Sequence, residues 1–141
     1  MSAIFAVIFI DTSAFYAILD RNDRVHPAAR ETWTRMLSGE ATPPLVTSNY
    51  ILVETFALVQ ARLGLAAVRD LHDAMLPAVS IRWVTEQDHA AAVSAVLASN
   101  RRSLSLVDCT SFQLMRRIGI ERAFAFDQHF GEQGFQILPA T

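Results

Sequence analysis

The chain has 141 residues, 52% of them hydrophobic, and a formal net charge of −2. This length fits a single domain over 1–141, and the apolar content favours a buried core and excludes intrinsic disorder. The single cysteine excludes an intrachain disulfide, and the near-neutral charge gives no indication of a nucleic-acid-binding surface. All 12 basic residues are arginine, so enzymes that need a lysine, such as phosphate-loop and pyridoxal-phosphate enzymes, are excluded.

The N-terminal half predicts two strands and four helices. Residues 3–10 form a continuous apolar run, which is typical of a strand buried on both faces of a parallel sheet. The run is too short to span a bilayer and is followed by Asp11, so we expect a cytoplasmic protein. Thr12 or Ser13 is predicted to cap a helix over about 13–20. The elements that follow are predicted as a helix from about 26 to 38, a strand at 45–47, and helices over 49–64 and 65–76.

The C-terminal half continues the alternation of strands and helices. Thr85 with Asp88, and Ser105 with Asp108, have the spacing of a capping box and predict helices that run to about 99 and about 118. Strands are predicted at 80–84, 123–126 and 135–138. We therefore expect a three-layer α/β/α fold around a central, mainly parallel sheet of about five short strands. In such folds the ligand site lies at the carboxyl ends of the strands.

Four acidic residues lie in strongly apolar sequence: Asp11, Glu54, Asp108 and Asp127. Each has a structural explanation of its own. Asp11 and Asp127 can cap helices or turns, Asp108 can belong to a capping box, and Glu54 can pair with an arginine from elsewhere. Together they are more specific, because a doubly wound sheet can bring all four to one edge.

Four carboxylates in one pocket repel each other at neutral pH, and a divalent cation relieves that repulsion. Oxygen-only ligation favours Mg²⁺, with Mn²⁺ as a substitute. Zinc and calcium are poorly supported, because the chain contains no HExxH or CxxC motif and no EF-hand spacing.

The motifs around these acids are FIDTSAFYAIL, TSNYILVET, LSLVDCTSF and AFAFDQHF. In these motifs, and over nearly its whole length, the chain resembles the PIN-domain ribonucleases, and within them the VapC-type toxins of bacterial toxin–antitoxin pairs. An Asp-Thr-Ser after an apolar strand and a late Phe-Asp-x-His-Phe before a short final strand are the most telling features. All four acids of the resembled family are present.

The resemblance implies a Mg²⁺-dependent endoribonuclease that hydrolyses RNA phosphodiester bonds with a metal-activated water. It assigns Asp11 and Asp108 as the principal metal ligands, with Glu54 and Asp127 completing the catalytic site. Thr12 and Ser13 are candidates for orienting the substrate or a metal-bound water. The resemblance also implies a cognate VapB-type antitoxin, which binds in a groove beside the first helices, and a homodimer.

Two other functions remain open from the residues. One is a non-catalytic PIN-like module that binds protein or RNA, and the other is a metal-dependent nuclease acting on DNA. His129 follows Asp127 by two residues and is more readily explained as a structural or surface residue than as a substrate contact. The arginine pairs at 101–102 and 116–117 are either solvated surface charge or a rim that faces phosphate.

Overall fold

The computed structural model describes residues 7–39 and 42–140. Its centre is a five-stranded sheet in the spatial order β3-β2-β1-β4-β5, in which every neighbouring pair is parallel. The strands are β1 (Ile8–Ile10), β2 (Leu45–Ser48), β3 (Ser80–Arg82), β4 (Arg122–Phe124) and β5 (Gln136–Leu138). The expected α/β fold with its central sheet is confirmed, and the sheet is parallel throughout.

Helices flank this sheet. They are α1 (Thr12–Leu19), α2 (His26–Ser38), α3 (Asn49–Leu63), α4 (Leu65–Asp70), α5 (Glu86–Ser99), α6 (Leu106–Ile118) and α7 (Gln128–Glu132). A π-helical turn at Leu71–Met75 and a 3₁₀ turn at Leu76–Ala78 follow α4. In the residues that the structure describes, no helix is long and apolar enough to cross a membrane.

Buried aromatic side chains form the centre of the core. Phe9 and Phe124 come from the adjacent strands β1 and β4, Phe15 from α1 and Phe130 from α7, and all four are fully buried. Burying a side chain of this size contributes about 1.5–3 kcal/mol. The apolar run that predicts the first strand is therefore the element around which the two halves of the chain pack.

Several element boundaries differ from those expected from the sequence. Residues 3–6 of the first predicted strand lie outside the described residues, and β1 begins at Ile8. The strands expected at 80–84 and 123–126 are shorter, and the helix expected over 65–76 changes to a π turn at Leu71. The short helix α7 was not expected at all.

The cap of α1 also differs from the prediction. Asp11 is its N-cap residue, and the helix begins at Thr12, so the expected caps Thr12 and Ser13 are wrong. The reason is that the Asp11 carboxylate accepts the free Ser13 N–H, so neither hydroxyl group is needed as the cap.

Candidate active site

Asp11 stands at the carboxyl end of the central strand β1. Its backbone N–H continues the ladder by donating to the carbonyl of Phe124 on β4, at 3.0 Å. Its Oδ2 accepts from the Ser13 N–H at 3.1 Å and from the Ser13 hydroxyl at 2.6 Å. The residue is only 4% exposed. Burial raises the pKa of Asp11 from 3.8 to about 7, although the two bonds from Ser13 lower it.

Thr12 and Ser13 fix the position of α1. The Ser13 hydroxyl accepts from the backbone N–H of Phe126 at 2.9 Å, so it joins α1 to the chain that follows β4. The Thr12 hydroxyl is buried and accepts from the Thr55 hydroxyl on α3 at 3.0 Å. These contacts show both residues positioning the elements that carry the acids.

Glu54 lies in the second turn of α3. It is half-buried, and burial raises its pKa. The nearby Thr12 hydroxyl lowers that pKa, whereas the negative charges of Asp108 and Asp127 raise it further. Glu54 thus lies within electrostatic reach of the other acids.

Asp108 is the third residue of α6 and closes a capping box with Ser105, as the sequence predicts. The Ser105 N–H donates to Oδ2 of Asp108 at 3.1 Å, and the Asp108 N–H donates to the Ser105 hydroxyl at 3.0 Å. Burial raises the pKa of Asp108, and the neighbouring charge of Asp127 adds to that rise.

Asp127 caps α7 and lies three residues beyond Phe124, the last residue of β4. Its Oδ1 accepts from the His129 N–H at 2.9 Å. One ligand atom each of Asp108, Asp127 and His129 lie within 4.8 Å of one another. His129 is therefore a site residue that the sequence did not distinguish from a structural histidine, although its position two residues after Asp127 was the available signal.

A cleft of about 370 Å³ brings the four acids together. Its lining includes Asp11, Glu54, Asp108 and Asp127, together with Thr12 and Ser13. Within residues 7–39 and 42–140, no arginine forms an ion pair with any of the four. The buried ion pair considered for Glu54 is thus not formed there, and the negative charge of the cleft has no fixed cationic partner.

Three arginines of the pairs at 101–102 and 116–117 form contacts outside the acidic cleft. Arg101 pairs with Glu132 at 3.2 Å, and Arg117 forms a bidentate pair with Asp88 on α5, at 2.9 and 2.8 Å. Arg116 donates to Gln133 and lies over the ring of Phe135. The bidentate contact from Arg117 lowers the pKa of Asp88 and joins α5 to α6.

Each of the three aspartates uses one carboxylate oxygen to hold a helix N-terminus. Asp11 uses Oδ2, Asp108 uses Oδ2 and Asp127 uses Oδ1. In the part of the chain that the structure describes, the second oxygen of each has no hydrogen-bond donor from the protein. Capping and metal binding are therefore compatible, and the arrangement fits a hard divalent cation.

Known proteins share the sequence pattern and the fold of this chain. The family model described as "PIN domain" matches residues 8–136. The chain belongs to the PIN domain family. This PIN-family chain is also 36% identical over 131 residues to the 23S rRNA-specific endonuclease VapC20 of Mycobacterium tuberculosis, in the strains CDC 1551 and H37Rv. The match covers 92% of this chain and 95% of the relative.

Two solved structures have the same fold. The crystal structure of M. tuberculosis VapC20, described as a Sarcin-Ricin loop cleaving toxin, superposes with a TM-score of 0.80 at 33% identity. It covers 91% of this chain and 95% of its own. FitAcB from Neisseria gonorrhoeae superposes with a TM-score of 0.66 at 14% identity, covering 92% and 95%, which shows a shared fold.

Proposed function

We propose that this PIN-family chain is a divalent-metal-dependent endoribonuclease that acts as the toxin of a VapBC-type pair. The observation that carries the proposal is the cleft in which four carboxylates meet without an arginine partner. Buried carboxylates with raised pKa values in a cleft are typical of functional sites. The similarity to VapC20 over 92% of the chain supports RNA as the substrate.

The four acids would hold the cation, directly or through water, with Mg²⁺ as the expected ion and Mn²⁺ as its substitute. When bound, such an ion polarises a phosphoryl oxygen and lowers the pKa of a coordinated water. The contribution of this chain is to keep the ligands in place. Ser13 holds the Asp11 carboxylate, Ser105 holds that of Asp108, and the backbone of α7 holds that of Asp127.

The acidic cleft also excludes a metal-free reaction on RNA. Carboxylates at neutral pH repel the phosphate backbone, so without a cation the cleft opposes the approach of the substrate. Burial is the main cause of the raised pKa of Asp11, and the charges of Asp127 and Asp108 raise that pKa further. We therefore expect cleavage to depend strictly on an added divalent ion.

The test is RNA cleavage by purified protein in Mg²⁺ or Mn²⁺, with 23S rRNA and an unrelated RNA as substrates. We expect cleavage in either ion and none in EDTA. Asp11→Asn and Asp108→Asn should each lower the rate on the order of 100-fold or more, because each removes a charged metal ligand. Asparagine keeps the caps, so the variants should fold.

The control is Asp73→Asn, which removes an exposed carboxylate outside the cleft and should cleave like the wild type. Full activity of Asp11→Asn or Asp108→Asn would contradict the site assignment. Cleavage of single-stranded DNA at the same rate as RNA would favour the alternative nuclease.

We further propose that an antitoxin segment covers the cleft and that the toxin is a homodimer. A second, largely apolar groove of about 790 Å³ adjoins the acidic cleft, and the two share Ser13, Leu58 and Asp127. An apolar segment lying in this groove could extend an arginine to the unpaired carboxylates. Val53 on α3 is 71% exposed, which leaves apolar surface for a subunit contact.

A further inference from the structure

His129 has a buried ring nitrogen beside two of the acids that line the cleft. The residue is 9% exposed, and its Nδ1 is buried with no hydrogen-bond partner in the described residues. This atom lies 2.9 Å from Oδ1 of Asp127 and 3.8 Å from Oδ2 of Asp108. A buried polar atom without a partner is costly, so the arrangement requires a physical explanation.

The ring is held in this position by the packing of α7. Phe130, the next residue, is fully buried and contacts the rings of Phe9, Phe112 and Phe135. The backbone N–H of His129 donates to Asp127, which caps the same helix. Because Asp127 and Phe130 fix the backbone on either side of His129, the backbone directs the imidazole inwards.

Two simpler roles for Nδ1, a hydrogen bond to Asp127 and a contact with substrate phosphate, do not explain its position. Its 2.9 Å approach to Asp127 is not a hydrogen bond, because the oxygen lies away from the direction in which a ring N–H would point. A substrate phosphate is an unfavourable partner for this atom, because it would bring a third anion beside Asp108 and Asp127. What remains is a lone pair beside two carboxylates, which is the environment of a metal ligand.

We propose that Nδ1 of His129 is a direct ligand of the divalent cation, together with Asp108 and Asp127. The inference rests on the proposed function, since the cation is the one that the acidic cleft would hold. Adjacent ligands about 2.1 Å from an octahedral ion are about 3 Å apart, and opposite ligands about 4.2 Å apart. Nδ1 lies 2.9 Å from Oδ1 of Asp127 and 3.8 Å from Oδ2 of Asp108, close to the first of these values and between the two. Each of these oxygens also accepts a capping N–H and keeps a second lone pair for a cation.

A nitrogen ligand changes which ion the site prefers. Carboxylate oxygens suit Mg²⁺ and Mn²⁺ alike, whereas imidazole nitrogen favours transition metals. A site of carboxylates and one imidazole therefore binds Mn²⁺ more tightly than Mg²⁺. This separates it from an oxygen-only acidic site, in which His129 would only support the fold.

The experiment is pulsed EPR of Mn²⁺ bound to the full chain, prepared with natural-abundance and with ¹⁵N-labelled histidine. We expect a hyperfine coupling between Mn²⁺ and a directly coordinated histidine nitrogen, and this coupling should change with the nitrogen isotope. The coupling should be absent from His129→Gln, whose side chain does not place a donor where Nδ1 lies, and present in His72→Gln, which alters an exposed histidine.

A metal titration by calorimetry adds an independent readout. We expect His129→Gln to weaken Mn²⁺ binding by about 10-fold or more and Mg²⁺ binding by less. His129→Asn should recover Mg²⁺ binding in part, because its amide oxygen can occupy the place of Nδ1, without restoring the preference for Mn²⁺.

The outcomes separate this inference from the proposed function. Mn²⁺ that binds without a histidine coupling overturns the role of His129 and leaves the acidic metal site intact. Failure to bind Mn²⁺ at all overturns both. If His129→Gln does not fold, a chain in which the other three histidines are glutamine must still give the coupling, because His129 is then its only histidine.

Discussion

At the residue scale, Asp11 combines two demands that conflict. As the N-cap of α1 it must accept from the Ser13 N–H, which fixes it at the buried end of β1. As a candidate ligand it must carry charge in a setting that raises its pKa to about 7. A helix needs only the cap, and asparagine or serine would supply it without the cost of burying a charge.

The pH dependence of metal-free stability follows from this conflict. The pKa of Asp11 is higher in the folded chain than in the unfolded chain, so the folded chain alone retains the proton between about pH 4 and about pH 7. The stability that Asp11 contributes is complete below this window and is lost as the pH rises through it. Asp11→Asn should therefore stabilise the metal-free protein more at about pH 8 than at about pH 5, by a few kcal/mol.

Urea unfolding in EDTA at the two pH values measures this difference. The exposed Asp73→Asn variant is the control, and it should change the free energy of unfolding by the same small amount at both pH values. Added Mg²⁺ should stabilise the wild type more at the higher pH, because binding offsets the repulsion among ionised carboxylates. An effect of Asp11→Asn that is independent of pH would contradict burial as the cause of the raised pKa of Asp11.

At the element scale, α5 and α6 begin with similar caps that serve different ends. Thr85 caps α5 by accepting from the Asp88 N–H, and Asp88 then pairs with Arg117. Ser105 caps α6 by accepting from the Asp108 N–H, and Asp108 lines the cleft. The N-terminal sequences of α5 and α6 are similar. The packing of the helices determines which of the two aspartates is neutralised by an arginine.

This pair of caps provides a matched test. Ser105→Ala and Thr85→Ala should each lower the free energy of unfolding by about 1 kcal/mol, because each leaves a helix N-terminus without its side-chain acceptor. Only Ser105→Ala should also weaken Mn²⁺ binding, by about 10-fold, since Ser105 orients Asp108. Urea unfolding and calorimetric titration measure the two effects, and equal metal affinity in both variants would contradict this role of Ser105.

The helix α7 illustrates an element that local sequence does not indicate. It has five residues, fewer than two turns, so it has no detectable periodicity. Its stability comes from long-range contacts: Phe130 packs among aromatic rings, and Gly131 lies so close to Ile137 that an added Cβ would be 3.1 Å from the Ile137 Cδ1. The burial of His129 depends on this same packing.

At the scale of the whole molecule, the near-neutral net charge does not describe the surface outside the acidic cleft. The net charge of −2 includes four acids that face one cleft. With a cation bound there, the other acidic residues are fewer than the 12 arginines. The remaining surface is then mildly basic, which favours contact with phosphate and does not oppose a nucleic-acid substrate.

The groove beside the cleft leads to a prediction about the proposed antitoxin. Ala28 lines the groove on the exposed side of α2, so Ala28→Arg should fill it and place a positive charge there. We expect the variant to cleave RNA at the wild-type rate. Inhibition should require at least about 10-fold more antitoxin than for the wild type. The measurement is RNA cleavage with and without the purified cognate antitoxin.

Ala91→Arg, at an exposed position on α5, is the control and should remain fully inhibited. Inhibition of Ala28→Arg at the wild-type antitoxin concentration would contradict the groove as the binding site. Loss of cleavage in Ala28→Arg would instead mean that the groove takes part in binding RNA.

Features that depend on neighbouring residues could be predicted from the sequence. Apolar runs and capping residues predicted the alternation of strands and helices, and each strand of the sheet appeared at its expected place. Parallel order then placed Asp11 and Asp127 at one edge, because the carboxyl ends of parallel strands coincide. The family followed from the same motifs.

Properties that depend on residues distant in the chain required the folded structure. Folding buried Asp11 deeply enough to raise its pKa, directed Arg117 to Asp88 and away from the cleft, and fixed α7 through Phe130. It also turned the Nδ1 of His129 towards Asp108 and Asp127. Burial and charge pairing are set by long-range packing, so local sequence could point to these residues but not show how deeply they are buried or which residues they contact.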